Sequence, residues 1–141
     1  MVMCLYDWKE YLSFSEQILA DKDKYENKET ISRIAISRAY YCAYHIALEF
    51  SKKIQRVKNI PNQYSDGSHE TLVKFYKLMN KGSQDFKSEC KSIGNILDSL
   101  KEDRHIADYK SYIRLNVKDA KSHCKKTRAL IDKINKMDNQ L

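Results

Sequence analysis

The chain has 141 residues, 42% of them hydrophobic, with a formal net charge of +7. That length fits one domain over residues 1–141 with a single modest core, and the apolar content excludes disorder throughout. Three glycines and one proline are far too few for the tight turns of a sandwich or barrel, so the composition predicts an all-α fold. The positive charge favours an acidic partner: nucleic acid first, an acidic protein second, an anionic membrane third. Cys4, Cys42, Cys90 and Cys124 are too widely separated to make a short metal pair. No metal and no cofactor is predicted, and reduced thiols in cytoplasm are the expectation. Asp7, Lys9 and Glu10 argue against a signal peptide, and nothing approaches the run of about 18 uncharged apolar residues that a membrane span needs.

In chain order, Trp8, Tyr11, Leu12, Ser15, Ile18 and Leu19 give an apolar stripe that predicts a first helix from about Asp7 to Leu19. Residues 21–27 are polar and read as a connection. Asn27 or Lys28 opens a second helix that extends to about Val57. Its middle is apolar on more than one face, the mark of a central helix packed by neighbours. Residues 59–67 hold the only proline and a glycine and form the clearest loop. A short helix follows, capped by Ser68 and carried by Leu72, Phe75, Tyr76 and Met79. A fourth starts after Ser83 and continues through Arg104 toward Tyr109. Gly94 inside it costs about 1 kcal/mol against alanine, which suggests a close approach by another helix. Asn116 with Asp119 resembles a capping pattern and opens a last helix from Val117 to about Met137. The sum is an up-and-down bundle of four long helices and one short one.

Within the second helix, Ile31, Ile34, Arg38, Tyr41, His45 and Leu48 fall at spacings of three or four. Arg38 and His45 therefore share a stripe with residues that favour burial, and a buried charge needs a partner or a ligand. The two stand two helical turns apart, roughly 10 Å along the axis, a separation able to flank one anion. An imidazole exchanges protons near neutral pH, and a guanidinium holds a phosphate with two parallel hydrogen bonds. That pair suits phosphodiester cleavage, in which a ribose 2'-hydroxyl is activated. A purely structural reading stands beside it: Arg38 pairs with Asp103, Asp108 or Glu49, and His45 satisfies a backbone carbonyl. Arg104 and Asp108 are four apart and form an ion pair on one helix face, with Tyr109 at the helix end. His69 and Glu70 do not begin a zinc motif, because Val73 stands where the second histidine belongs. The last helix carries seven Lys and Arg at 118, 121, 125, 126, 128, 133 and 136. These are either a solvated face or, with Lys52, Lys53, Arg56 and Lys58, a phosphate-tracking surface.

Ser37-Arg-Ala-Tyr-Tyr-Cys-Ala-Tyr-His45, then His69-Glu70, then Leu100-Lys-Glu-Asp-Arg-His-Ile-Ala-Asp-Tyr109, in that order, resemble the HEPN superfamily in its small helical UPF0332-like branch. The resemblance runs from about Trp8 to Met137. It implies a helical bundle that forms a homodimer. It also implies, for many members, a metal-independent RNase activity, as in toxins paired with a nucleotidyltransferase-like antitoxin and in phage-defence nucleases. The family site is an Arg-x4–6-His motif near the dimer groove. On this chain the motif arginine is Arg104, with Asp103 beside it, and Tyr109 preceded by Asp108 stands at the histidine position. Tyrosine, with an ordinary pKa near 10, is a poor base at neutral pH but can donate a hydrogen bond or orient RNA. Two readings follow. In the first, the protein is an endoribonuclease in which Arg104 and Arg38 bind the scissile phosphate, His45 transfers the proton and Tyr109 orients substrate. In the second, it is a catalytically degenerate module that binds RNA or a nucleotidyltransferase-like protein.

Overall fold

The computed structural model describes residues 5–61 and 68–141. The predicted loop at 59–67 therefore lies mostly outside the described residues. Five α-helices follow in order: α1 (Lys9–Ala20), α2 (Lys28–Val57), α3 (His69–Lys77), α4 (Gln84–Tyr109) and α5 (Val117–Gln140). A 3₁₀ turn over Lys22–Lys24 sits in the first connection. Among the described residues there is no strand. The protein is an all-α bundle of four long helices and one short one.

The helix starts are set by short polar side chains. Asn27 accepts from the Thr30 amide at 3.0 Å, Ser68 from Thr71 at 3.0 Å and Ser83 from Phe86 at 3.1 Å. Asn116 and Asp119 form a reciprocal capping box, each side chain accepting from the other's amide at 2.9 and 3.0 Å. Each such cap satisfies a backbone N–H that the helix itself leaves unpaired and contributes about 1 kcal/mol. At the far end of α2, Asn59 adopts a left-handed φ of +54°, which lets the chain turn out of the helix.

α2 packs against all four other helices. Ala35, Ala39, Ala43 and Ala47 recur every four residues along it and are fully buried, so neighbouring backbones can approach closely. One core joins α2, α3, α4 and α5 through Tyr40, Phe50, Phe75, Tyr76, Leu97 and Leu130. A second joins α1, α2 and α5 through Leu12, Leu19, Ile36, Cys124 and Ile131. Burial of each large aliphatic side chain contributes about 1.5–3 kcal/mol. Gly94 faces α3: a Cβ there would stand 3.0 Å from the Lys77 amide nitrogen and 2.7 Å from Lys77 Cγ. The close approach expected at that glycine is therefore made by α3.

The stripe read from α2 is buried only in part. Ile31 is buried, but Ile34 and Arg38 are exposed, and Tyr41, His45 and Leu48 are half-buried. The alanine row and Tyr40 and Tyr44 take the inner face, which leaves that stripe at the edge of the bundle. Arg38 thus escapes the cost of burying a charge.

A second arginine of α2 secures α4. Arg33 donates from Nη1 to the carbonyls of Ile106 and Ala107 at 3.1 and 2.9 Å. From Nη2 it donates to those of Lys110 and Ile113, the former at 3.3 Å. These carbonyls lie at the end of α4 and in the loop beyond, where only Ile106 and Lys110 also accept a backbone amide, from Lys110 at 3.1 Å and Ile113 at 3.2 Å. Glu29 holds the guanidinium from the other side at 3.0 Å and accepts from the Leu115 amide at 3.2 Å. Arg33→Ala strips charged donors from four carbonyls, so a loss of about 2–4 kcal/mol is expected in urea unfolding. Arg33→Lys, without the planar fork, should recover no more than half of it. A change within about 0.5 kcal/mol for the alanine variant, the level of an ordinary surface substitution, would show that α4 needs no such staple.

Candidate functional site

Tyr41 of α2 is the hub of a polar and aromatic face between α2, α4 and the start of α3. The Arg104 guanidinium lies 5.4 Å from its ring centroid, and that of Arg38 lies 5.9 Å away. The His45 ring is tilted 27° from that of Tyr41 with centroids 6.5 Å apart, and His69 meets it edge-on at 6.3 Å. Five of the six residues singled out from sequence belong to this face: Arg38, His45, Arg104, Asp108 and Tyr109. Asp103 does not.

Arg104 is held on three sides. Its guanidinium sits 5.4 Å from the Tyr109 ring as well, so it contacts two tyrosine rings. Nη2 donates to Tyr41 Oη at 3.1 Å, and Nε stands 2.8 Å from Asp108 Oδ2. Asp108 in turn accepts from Ser37 Oγ of α2 at 3.3 Å. Burial opposes the arginine's charge, but Tyr41, Asp108 and Tyr109 together raise its pKa. Nη1 has no hydrogen-bond partner among the described residues, so one edge of an oriented guanidinium is open to an anion. Arg38 has no carboxylate in ion-pair range among the described residues and rests 5.9 Å from the Tyr11 and Tyr41 rings. Neither Asp103, Asp108 nor Glu49 pairs with it.

His45 stacks flat on Trp8, with centroids 3.6 Å apart and planes within 8°. Tyr44 meets it edge-on at 5.2 Å. Neither imidazole nitrogen hydrogen-bonds within the described residues, so no backbone carbonyl among them claims it. Burial, and then the positive charge of Lys52, lower its pKa. The ring is therefore a neutral, unbonded base at pH 7.

The sequence marks His69 only as an excluded zinc ligand and as part of the HEPN-like pattern, with no role in the site. It opens α3, and its Nδ1 lies 2.5 Å from the buried Tyr40 Oη. Its ring stacks on Tyr44 at 4.1 Å. Burial lowers its pKa, helped by Arg104, Lys101 and His45. The signal was indirect: Tyr40, Tyr41 and Tyr44 lie on neighbouring faces of α2, and buried phenols need polar partners.

Asp103, next to Arg104 in the chain, is turned about 100° away around the helix. It faces α5, where it accepts from His123 Nδ1 at 3.0 Å and from Lys126 Nζ at 2.9 Å. Burial would raise its pKa, but these two bonds and their charge hold it below the usual carboxylate range. His123 is 1% exposed, and burial outweighs its carboxylate partner to lower its pKa. Asp103 thus serves packing between α4 and α5. Other cations of α5 are also paired: Arg128 with Glu16 at 2.5 Å and Lys133 with Glu89 at 2.6 Å. That leaves a weaker basic surface than the residue count suggested.

Among the described residues no group of three or more His, Cys, Asp and Glu side chains is placed to hold a metal ion, and no helix is long and apolar enough to cross a membrane. The fold and this face together define an all-α bundle with an arginine–imidazole–tyrosine surface. No family model matches the chain, and no curated protein or solved structure matches it either.

Trp8 is the only tryptophan, so its emission reports on His45. The imidazole charges only as pH falls below its ordinary value of about 6.5. Emission is expected to stay constant from pH 8 to 7 and then to be quenched with a midpoint below 6.5, as an imidazolium replaces a neutral ring against the indole. The transition should vanish in His45→Phe. A titration midpoint above 6.5 would contradict the lowered pKa.

Proposed function

We propose that this protein is a metal-independent endoribonuclease of HEPN type, acting in the cytoplasm as a toxin or phage-defence effector and working as a homodimer. The observation that carries the reading is the gathering of two guanidinium groups and an unbonded imidazole around Tyr41. Cleavage of RNA without a metal needs positive charge on the phosphate and a base for the ribose 2'-hydroxyl. Arg104, fixed by Asp108 and Tyr41, offers its open edge to the scissile phosphate. Arg38, exposed at the rim, holds a phosphate of the same strand. His45 takes the 2'-hydroxyl proton. Tyr109, 64% exposed and stacked against Arg104, receives a base or ribose.

The same tyrosine supports a second reading. A half-neutralised arginine with an exposed ring where the family motif places histidine also suits a module that binds RNA or a nucleotidyltransferase-like partner without cutting.

The test is incubation of the purified protein with total RNA in EDTA. The wild type is expected to cleave, and Arg104→Ala to lose about 10²–10³-fold in rate, the usual cost of removing one charge-stabilising donor. Equal cleavage by wild type and variant would point to a contaminant. A wild type that binds RNA or co-purifies with a partner but never cuts would establish the binding module instead. Light scattering at micromolar concentration should give twice the chain mass of 16.6 kDa; a monomer there would remove the dimer from the proposal.

A further inference from the structure

We infer that His69 is the general acid of the reaction and His45 its general base, the two imidazoles serving one phosphodiester of RNA beside the Tyr41–Tyr44 pair that both contact; the inference rests on the nuclease reading above. Both histidines contact the same two rings. Tyr44 lies 5.2 Å from His45 and 4.1 Å from His69, and Tyr41 lies 6.5 and 6.3 Å from them. Arg104, the phosphate-holding group, reaches Tyr41 with both its face and Nη2. A phosphate on the open edge of Arg104 therefore sits beside a ring that both imidazoles flank.

Transesterification needs two proton transfers. The base removes the proton from the 2'-oxygen, which attacks phosphorus and forms the new P–O2' bond. The P–O5' bond breaks, and the acid gives its proton to the departing O5'. The products are a 2',3'-cyclic phosphate and a free 5'-hydroxyl, and the two histidines end with their protonation states exchanged. Nothing further is consumed. One imidazole cannot stand on both sides of an in-line displacement, so a second donor is required by the chemistry.

The surroundings divide the roles. His45 is neutral, unbonded at both nitrogens among the described residues and accompanied by Lys52 and His69 besides Trp8, Tyr41 and Tyr44. It is ready to accept a proton. His69 faces Tyr40, Tyr41, Tyr44 and His45 of α2, and Arg104 and Lys101 of α4. Nδ1 is tied to Tyr40 Oη, which fixes the ring and leaves Nε2 without a partner among the described residues. Burial is the first cause that disfavours a charged His69, and Arg104 and Lys101 add to it. An RNA phosphate neutralises these cations and brings its own negative charge beside the ring, so substrate binding favours the imidazolium, with Nδ1–H donating to Tyr40 and Nε2–H directed to the leaving oxygen. Tyr40 is a positioning residue in this scheme.

The probe is a pair of RNA dinucleotides, one with the ordinary 5'-bridging oxygen and one with sulfur in its place. A thiolate departs without a proton, so the sulfur substrate bypasses the general acid. His69→Ala and His69→Gln are expected to lose at least about 100-fold in kcat on the oxygen substrate, within the usual range for a general acid. On the sulfur substrate both should stay within about threefold of wild type. His45→Ala should lose on both. The bell-shaped pH profile of the wild type should lose its alkaline limb in the His69 variants and its acid limb in His45→Ala, and Tyr40→Phe should displace the alkaline limb alone. Equal losses on oxygen and sulfur, or full activity without His69, would overturn the acid assignment while leaving the nuclease intact. A wild type inert on both dinucleotides and on total RNA would overturn the nuclease reading itself.

Discussion

The Arg33 fork is the constraint on which the candidate site depends. α4 ends at Tyr109, and a helix end is normally its least fixed part, because the last carbonyls have no amide to accept from. Here a guanidinium from the first turns of α2 takes the carbonyls of Ile106, Ala107, Lys110 and Ile113 together. Arg104, Asp108 and Tyr109 flank or fall within that secured stretch. Their position against Tyr41 is therefore set by hydrogen bonds from the same helix that carries Tyr41. Ser37, which donates to Asp108, sits one turn on from Arg33 and closes the frame.

That frame changes what the charged side chains can do. An arginine in water samples many rotamers and loses their freedom when it grips a phosphate. Arg104 has lost most of that freedom already, against two rings and a carboxylate. Folding bears this ordering cost, and a ligand meets a donor edge in fixed orientation. Asp108 has a double effect: it orients the guanidinium and also cancels part of its charge. Tyr41 orients it without cancelling any. The hydroxyls and rings of α2 supply rigidity that more carboxylates would supply only by weakening the positive field.

Much of the scaffold was legible in the residues. The caps at Ser68 and Asn116, the helix spans, the central place of α2 and the close approach at Gly94 all follow from local rules: an Asn or Ser before an amphipathic run, or a glycine inside one. Periodicity also brought Arg38, His45, Arg104, Asp108 and Tyr109 into consideration. What failed was anything set by partners far along the chain. Arg33 carries no local signal, because the carbonyls it serves lie more than 70 residues away. Asp103, beside Arg104 in the site that the resemblance implies, points elsewhere around the helix by spacing alone, but the partners that hold it there, His123 and Lys126, lie on another helix. The stripe of α2 was read as buried although the alanines claim the inner face. His69 carries no role in the sequence pattern, because its environment is created by tyrosines on a different element.

Arg33, Ser37, Tyr40, Tyr41, Tyr44 and His45 all ride on one uninterrupted helix, so their mutual bearings are fixed by its pitch. Each residue along it turns the bearing by about 100°. A one-residue insertion or deletion between Arg33 and Tyr41 would leave the anchored end of α4 in place and rotate every ring beyond it away from Arg104. Loops that Arg33 and Glu29 do not grip can vary in length without disturbing that alignment, whereas this stretch of α2 tolerates exchange of side chains but no change in their number. Natural variation in the protein should therefore be counted in gaps as well as letters, and a gap here would separate the fold from the chemistry proposed for it.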